Sequence, residues 1–189
     1  MLQRTRASQV EPVWAAFVER FPSAAAARLA SEAELSAILR PLGLDWRLRN
    51  LRKAVRVVAD TPSVLSDPRA AMTLEGVGHY AASAVACFAN SRRVAVVDVN
   101  VVRIYCRLLG IPPTDYLRRS THFHALAQSL VPLDAPREYN WALLDLAATV
   151  CRPGVPSCAQ CPLASHCQYG QAGRHDGDSD FEGYAKASS

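Results

Sequence analysis

LEGVGHYAASAVACFANSRRVAVVDVNVVRIYCRLLG, residues 74–110, decides the fold. Glycines 76 and 78 put a tight turn at its start, and from His79 to about Asn90 apolar residues recur at three- and four-residue spacing, a helical period. Just ahead of it, Asp67-Pro68 reads as an N-cap followed by proline in the first turn, so a short helix runs through Met72 and breaks at Gly76-Val77-Gly78. The result is helix, turn, helix across residues 67–89. Asp98 caps a further helix reaching about Leu109. Glycine at both ends of the turn permits positive φ and close approach, and the first N–H groups of any helix lack carbonyls one turn back. Such a geometry cradles a phosphate, although a tight helix–helix turn requires glycine on steric grounds alone.

The same spacing extends in both directions. A first helix covers about residues 7–20, with Val10, Trp14, Phe17 and Val18 on one face, and ends at Phe21-Pro22. Ser31 followed by Glu34 forms a capping box that opens a helix stopping before Pro41. Leu44-Asp45 opens another, with Leu48, Leu51, Val55 and Val58 as its stripe, and two more are expected at about 120–130 and 137–150. With no convincing strand alternation and no internal repeat, the expected class is all-α. Residues 171–189, QAGRHDGDSDFEGYAKASS, are polar, acidic and glycine-rich and read as a disordered tail.

The 189 residues are 50% apolar, 20% charged and 7% aromatic, enough to bury a core in one or two small domains and incompatible with disorder throughout. No apolar run approaches the ~20 residues of a membrane span, and the basic start MLQRTRASQVEPVW lacks a signal stretch, so a cytoplasmic location with no membrane is expected. The net charge of +4 conceals a gradient: residues 1–120 carry +7, residues 121–170 carry −1 and residues 171–189 carry −2. A basic front suits a polyanion, and equally a solvated surface rich in arginine such as Arg47, Arg49, Arg52 and Lys53.

Four of the six cysteines, Cys151, Cys158, Cys161 and Cys167, crowd together as C-x6-C-x2-C-x5-C. In a reducing compartment thiols this close converge on a metal centre and not on disulfides. Zinc and an iron–sulfur cluster both accept four sulfurs, so ligand type leaves both open. One CxxC pair flanked by single cysteines departs from the two short-spaced pairs usual at structural zinc. Cys87 and Cys106 lie on apolar helical stripes and are expected in the core.

Taken in order, the glycine turn, the V-D-x-N segment Val97-Asp98-Val99-Asn100 and the cysteine spacing resemble the helix-hairpin-helix DNA glycosylases of the endonuclease III and MutY superfamily, over about residues 1–170. The resemblance implies two helical domains: residues 1–92 with the hairpin, and residues 93–170 around a [4Fe-4S] cluster on the four cysteines. Double-stranded DNA with a mismatched or damaged base would lie across the groove between them. The hairpin, Leu74 to Tyr80, would grip backbone phosphates through Gly76, Val77, Gly78 and His79, with a monovalent cation on its carbonyls. The family's aspartate falls on Asp98, beside a pocket for a flipped nucleotide, where its carboxylate would stabilise an oxocarbenium-like sugar as the N-glycosidic bond breaks. Gln3 and Arg4 fall where the family places a wedge that fills the hole left by the flipped base. A monomer associated with the nucleoid completes the expectation.

Position 80 separates the subfamilies. Strand-cutting relatives carry lysine there, because an amine forms a Schiff base with the sugar C1′; Tyr80 cannot, which implies a monofunctional glycosylase that leaves an abasic site. Tyr80, together with MLQRT, GLDWRLRNLRKA and LAQSLVPLDAPREYNWALLDLAATVC, looks like both the MutY-type adenine glycosylases and the thymine glycosylases acting on T·G. The short stretch after Cys167 leaves no room for an 8-oxoguanine-reading domain, which favours thymine or uracil opposite guanine. Met1-Leu2-Gln3 matches the interior of a family helix, so the family's first helix and the glutamate that MutY-like enzymes use as general acid have no counterpart here. Adenine departure depends on such an acid more than thymine or uracil, which leave as stabilised anions. The alternatives are a MutY-like adenine glycosylase without the 8-oxoguanine reader, a catalytically weak DNA-binding relative, and a zinc-binding DNA module.

Overall fold

Short polar side chains open most of the helices by accepting their first amide hydrogens. The computed structural model describes Thr5, residues 7–43 and residues 45–173, the side chains of Ala7, Asp45 and Arg47 excepted. The helices are α1 (Ala7–Arg20), α2 (Ala24–Leu29), α3 (Glu32–Leu39), α4 (Asp45–Asp60), α5 (Pro68–Ala71), α6 (His79–Ala84), α7 (Val99–Leu109), α8 (Thr121–Leu130), α9 (Pro136–Thr149) and α10 (Gln168–Gln171). No strand occurs among the described residues, and no helix there is long and apolar enough to cross a membrane. Ser23, Asp67, Asp98 and Ser120 each take a backbone N–H at the start of α2, α5, α7 and α8. The expected capping box closes at α3, with Glu34 N–H donating to Ser31 Oγ at 3.2 Å and Ser31 N–H to Glu34 Oε2 at 2.9 Å.

The chain divides between Val85 and Ala86, earlier than the 92/93 boundary read from the sequence. The division falls inside the second hairpin helix, where α6 runs directly into the π-helical turn Val85–Ala89. In the first unit Phe21, Ala27, Leu35 and Val55 form one buried cluster, with Phe17, Leu48 and Leu51 packed against it, and Val10 and Val13 pack with Leu42. The inward face of α1 therefore differs from the expected one. Val10, Val13 and Phe17 point in because Leu42 and Ile38 receive the two valines, which leaves Trp14 56% and Val18 42% exposed. Arg28 of α2 pairs with Asp60 of α4, and Glu32 of α3 with Arg52 of α4.

In the second unit α7 is the centre: Val101, Val102, Ile104, Tyr105 and Cys106 pack with Phe123 and Ala127 of α8 and Leu143 and Ala147 of α9. Cys87 and Cys106 are buried, as expected. Ahead of α7 the chain runs extended without a partner strand, and Ala95, Val96 and Val97 are buried. Two side-chain amides replace the missing ladder. Ala95 N–H donates to Gln128 Oε1 at 3.0 Å while Gln128 Nε2 donates to Arg93 O at 3.0 Å. Val96 N–H donates to Asn140 Oδ1 at 2.8 Å while Asn140 Nδ2 donates to Val94 O at 3.0 Å. That satisfies backbone groups whose burial would otherwise be costly, and it delivers Asp98 to the start of α7. Of the expected acidic tail, residues 174–189 lie outside the described residues.

Candidate active site and cysteine cavity

The hairpin belongs to the first unit. Asp67 Oδ1 accepts Arg69 N–H at 3.1 Å, and the turn is closed by Thr73 N–H to Ala70 O, Leu74 N–H to Ala71 O and Val77 N–H to Leu74 O, each at 3.1 Å. Gly76 has φ +81°, and a Cβ there would stand 2.8 Å from Asn50 Nδ2 of α4, so both backbone and packing demand glycine. Gly78 differs: its φ is −93°, and a Cβ there would meet nothing within 4 Å. The fold sets no demand for glycine at that position. Gly78 caps α6 without a side-chain acceptor, and His79 and Tyr80 follow as its first two residues, Tyr80 being 43% exposed. Lys53 Nζ donates to both Glu75 carboxylate oxygens at 2.7 Å, so Lys53, like Arg52, is tied to a carboxylate of its own unit. The candidates Gln3 and Arg4 lie outside the described residues.

Asp98, in the second unit, is half-buried at the N-cap of α7. Its Oδ1 accepts the Asn100 and Val101 backbone N–H groups, each at 2.9 Å, and its Oδ2 accepts Asn100 Nδ2 at 2.7 Å. Three of a carboxylate's roughly four acceptor positions are thereby filled, which locks the rotamer. Asn100 Oδ1 in turn accepts Arg103 Nη1–H at 2.9 Å. Arg103 also donates from Nε to Cys151 O at 2.9 Å and from Nη2 to Ala147 O at 3.1 Å. Burial is the largest influence on Arg103 and pulls its pKa below the usual guanidinium value, with the charge of Cys151 acting in the opposite direction. A continuous chain of hydrogen bonds thus runs from the Asp98 carboxylate to the backbone of the first cysteine in the quartet.

Cys151, Cys158, Cys161 and Cys167 line a single cavity of about 420 Å³, its open mouth included, whose other walls carry Ile104, Leu146 and Leu163. Burial first, and then the charges of Cys167, Cys151 and Cys161, raise the Cys158 thiol pKa, as expected of thiols gathered round one space. Among the described residues, no three His, Cys, Asp or Glu side chains meet closely enough to hold a single metal ion. The four sulfurs surround a space instead of converging on a point. That arrangement suits a polynuclear group with sulfur ligands better than one tetrahedral zinc at a Zn–S distance of about 2.3 Å.

Sequence reasoning passed over Asn100, Arg103, Arg107 and Asn140. Their signal was local: two arginines four apart on a stripe otherwise made of Val101, Val102, Ile104, Tyr105 and Cys106 must either spoil the core or be paired within it.

Residues 1–129 match the HhH-GPD superfamily base excision DNA repair protein family. The chain is 38% identical over 175 residues to the adenine DNA glycosylase of Mycolicibacterium smegmatis, a match that covers 92% of this chain and 59% of that protein. It is 35% identical over 177 residues to the thymine/uracil-DNA glycosylase of Pyrobaculum aerophilum, covering 88% of this chain and 75% of that one. Its fold matches the solved structure of a thermostable thymine-DNA glycosylase with a TM-score of 0.82 at 29% identity, covering 90% of this chain and 80% of the other. The chain therefore spans less than two thirds of the length of the adenine glycosylase it matches. With the family match running over the hairpin, Asp98 and most of the helical fold, the chain belongs to the HhH-GPD superfamily of base excision DNA repair proteins.

Proposed function

We propose that this chain is a DNA glycosylase that hydrolyses the N-glycosidic bond of thymine or uracil opposite guanine in double-stranded DNA, without cutting the strand. The observation that carries the reading is the Asp98 carboxylate, held in one rotamer by the Asn100 and Val101 amides and the Asn100 side chain. A charge fixed before the substrate arrives stabilises the positive charge that grows at the sugar C1′ with no reorganisation at the moment of reaction. The C1′–N bond breaks with its electron pair leaving on the base, and a water oxygen bonds to C1′. One proton of that water passes to Asp98 and on to solvent, and solvent protonates the departed base. Thymine and uracil leave as ring-stabilised anions and need less acid assistance than adenine. Tyr80 offers no amine for attack on C1′, so the product is an intact strand with an abasic site.

The hairpin supports the same reading. Gly78, where the fold leaves a Cβ free space, keeps that surface bare for a backbone phosphate, alongside Gly76, Val77 and His79, with a monovalent cation on the turn's carbonyls. The four cysteines hold a 4Fe-4S cluster, which when bound staples the 151–167 segment to the end of α7. Removal of adenine is the second reading, favoured by the 38% identity to an adenine DNA glycosylase.

Duplexes bearing T·G, U·G and A·8-oxoguanine, incubated with the protein and then treated with alkali, decide among these. Scission after alkali on the first two substrates is the expected result, and scission confined to the third establishes the second reading. Scission without alkali contradicts the role given to Tyr80. No scission on any duplex, with binding retained, overturns the enzymatic proposal.

A further inference from the structure

Arg107 is 2% exposed, sits one turn beyond Arg103 on α7, and takes no part in the chemistry above. Its Nη1 donates to Arg152 O at 2.8 Å and to Cys151 Sγ at 3.5 Å, and its Nη2 donates to Gly154 O at 2.9 Å. Its own carbonyl accepts Cys167 Sγ–H at 3.4 Å, and its guanidinium carbon stands 4.9 Å from the centre of the Tyr169 ring. One residue therefore touches both the first and the last cysteine of the quartet. It also forms part of the cavity wall. The two carbonyls, the sulfur and the ring face are dipolar or quadrupolar groups, and an anionic occupant of the cavity adds Coulombic compensation for a cation that has left water.

We propose that Arg107 is a positioning residue for the iron–sulfur group: it holds Cys151 and Cys167 at their places on the cavity wall and raises the reduction potential of the bound cluster. The inference rests on the reading that the quartet holds a cluster. Ordering the ends of the segment in advance removes part of the entropy cost of gathering four ligands from a flexible loop. A hydrogen bond from a cation to a ligand sulfur stabilises the more electron-rich state, which moves the potential upward. Lysine cannot take over the task, because donors on one nitrogen do not span two carbonyls and a sulfur as a planar fork does.

The test compares the full-length wild type with Arg107→Met and Arg107→Lys. Three quantities are read: iron and acid-labile sulfide per chain, the half-time of cluster loss to a chelator, and the reduction potential. The Met variant should lose its cluster several-fold faster, and what remains should have a lower potential. The Lys variant should lose it as fast while keeping part of the potential. A Met variant with wild-type loss rate and potential overturns the proposal. A measurement on the unsubstituted protein stands if both variants fail to fold: with nitrogen-15 in its arginines and the cluster in a paramagnetic state, it should show guanidinium nitrogen coupled to the cluster, and no coupling overturns the proposal. A wild type without iron and sulfide overturns the cluster reading itself, an outcome distinct from a loaded wild type whose cluster ignores Arg107.

Discussion

On α4, Arg52 and Lys53 reach outward to Glu32 and Glu75, and the Lys53–Glu75 pair is 59% and 57% exposed. On α7, Arg103 and Arg107 point inward and are tied to the carbonyls of Ala147, Cys151, Arg152 and Gly154. The two helices carry the same charge at similar spacing and put it to opposite uses. Exposed pairs such as those of α4 contribute about 0–1 kcal/mol, because water competes for each charge and salt screens it. Removing one member of a buried charged network costs about 3–5 kcal/mol, because the groups left behind cannot return to water. Burial, not sign, decides which arginines belong to the framework of the site.

The largest effect should come where the buried network reaches chemistry. Asp98→Asn should slow base release at least on the order of 10²–10³-fold in single-turnover assays while duplex affinity is kept, since the side chain still accepts the α7 amides but has lost its charge. Unimpaired release would remove Asp98 from the mechanism. Arg103→Met leaves Asn100 Oδ1, Cys151 O and Ala147 O without this donor, and urea unfolding should show a loss of about 3–5 kcal/mol. A loss as small as that of an α4 pair would erase the contrast between the two helices.

The two hairpin glycines sharpen the comparison within the first unit. Gly76→Ala should cost about 1–3 kcal/mol, from φ +81° and the 2.8 Å approach of Asn50 Nδ2. Gly78→Ala should change stability by no more than about 0.5 kcal/mol yet weaken duplex binding measured across a salt series, since its Cβ meets solvent in the free protein and a phosphate in the complex. Lys53→Met should cost less than about 1 kcal/mol in urea unfolding, and should weaken binding at low salt by leaving the Glu75 charge uncompensated beside the turn.

The smallest effect concerns pH. The Glu34 carboxyl is held below its ordinary value of 4.5 by the Ser31 backbone N–H first, then by the Ser31 hydroxyl and Arg20. A depressed folded-state pKa means that its contribution to stability is present above the unfolded value and is lost as pH falls through the folded one. Thermal unfolding between pH 6 and pH 3, compared with Glu34→Gln, should show a slightly shallower decline in the variant, and identical slopes would exclude the linkage.

Much of the fold was legible because its signals act within one helical turn. Ser31 with Glu34, Asp67 with Pro68, and Asp98 before Val99 each report a helix start to a reader of the sequence, and each is a cap in the structure. The inward face of α1 was not legible: Val10 and Trp14 fit a helical stripe equally well until Leu42 is seen to receive Val10 and Val13. Helices α2 and α10, of 6 and 4 residues, are too short to show a period. The residues that orient Asp98 and line up the cysteine loop were hidden for a related reason, since Arg103 finds its acceptors 44 and 48 residues away.

By itself, then, the sequence determined the helical class, the hairpin, the aspartate at the head of α7 and the cysteine spacing, because caps, turns and periods are contacts between near neighbours. Only the tertiary structure decided that Asn140 and Gln128 stand in for a strand beside residues 93–96, that two arginines are buried, that Gly76 is demanded by packing while Gly78 is not, and that four sulfurs ring a cavity. Those outcomes depend on which distant groups meet after the core has formed and water has been excluded, and no local pattern encodes such meetings.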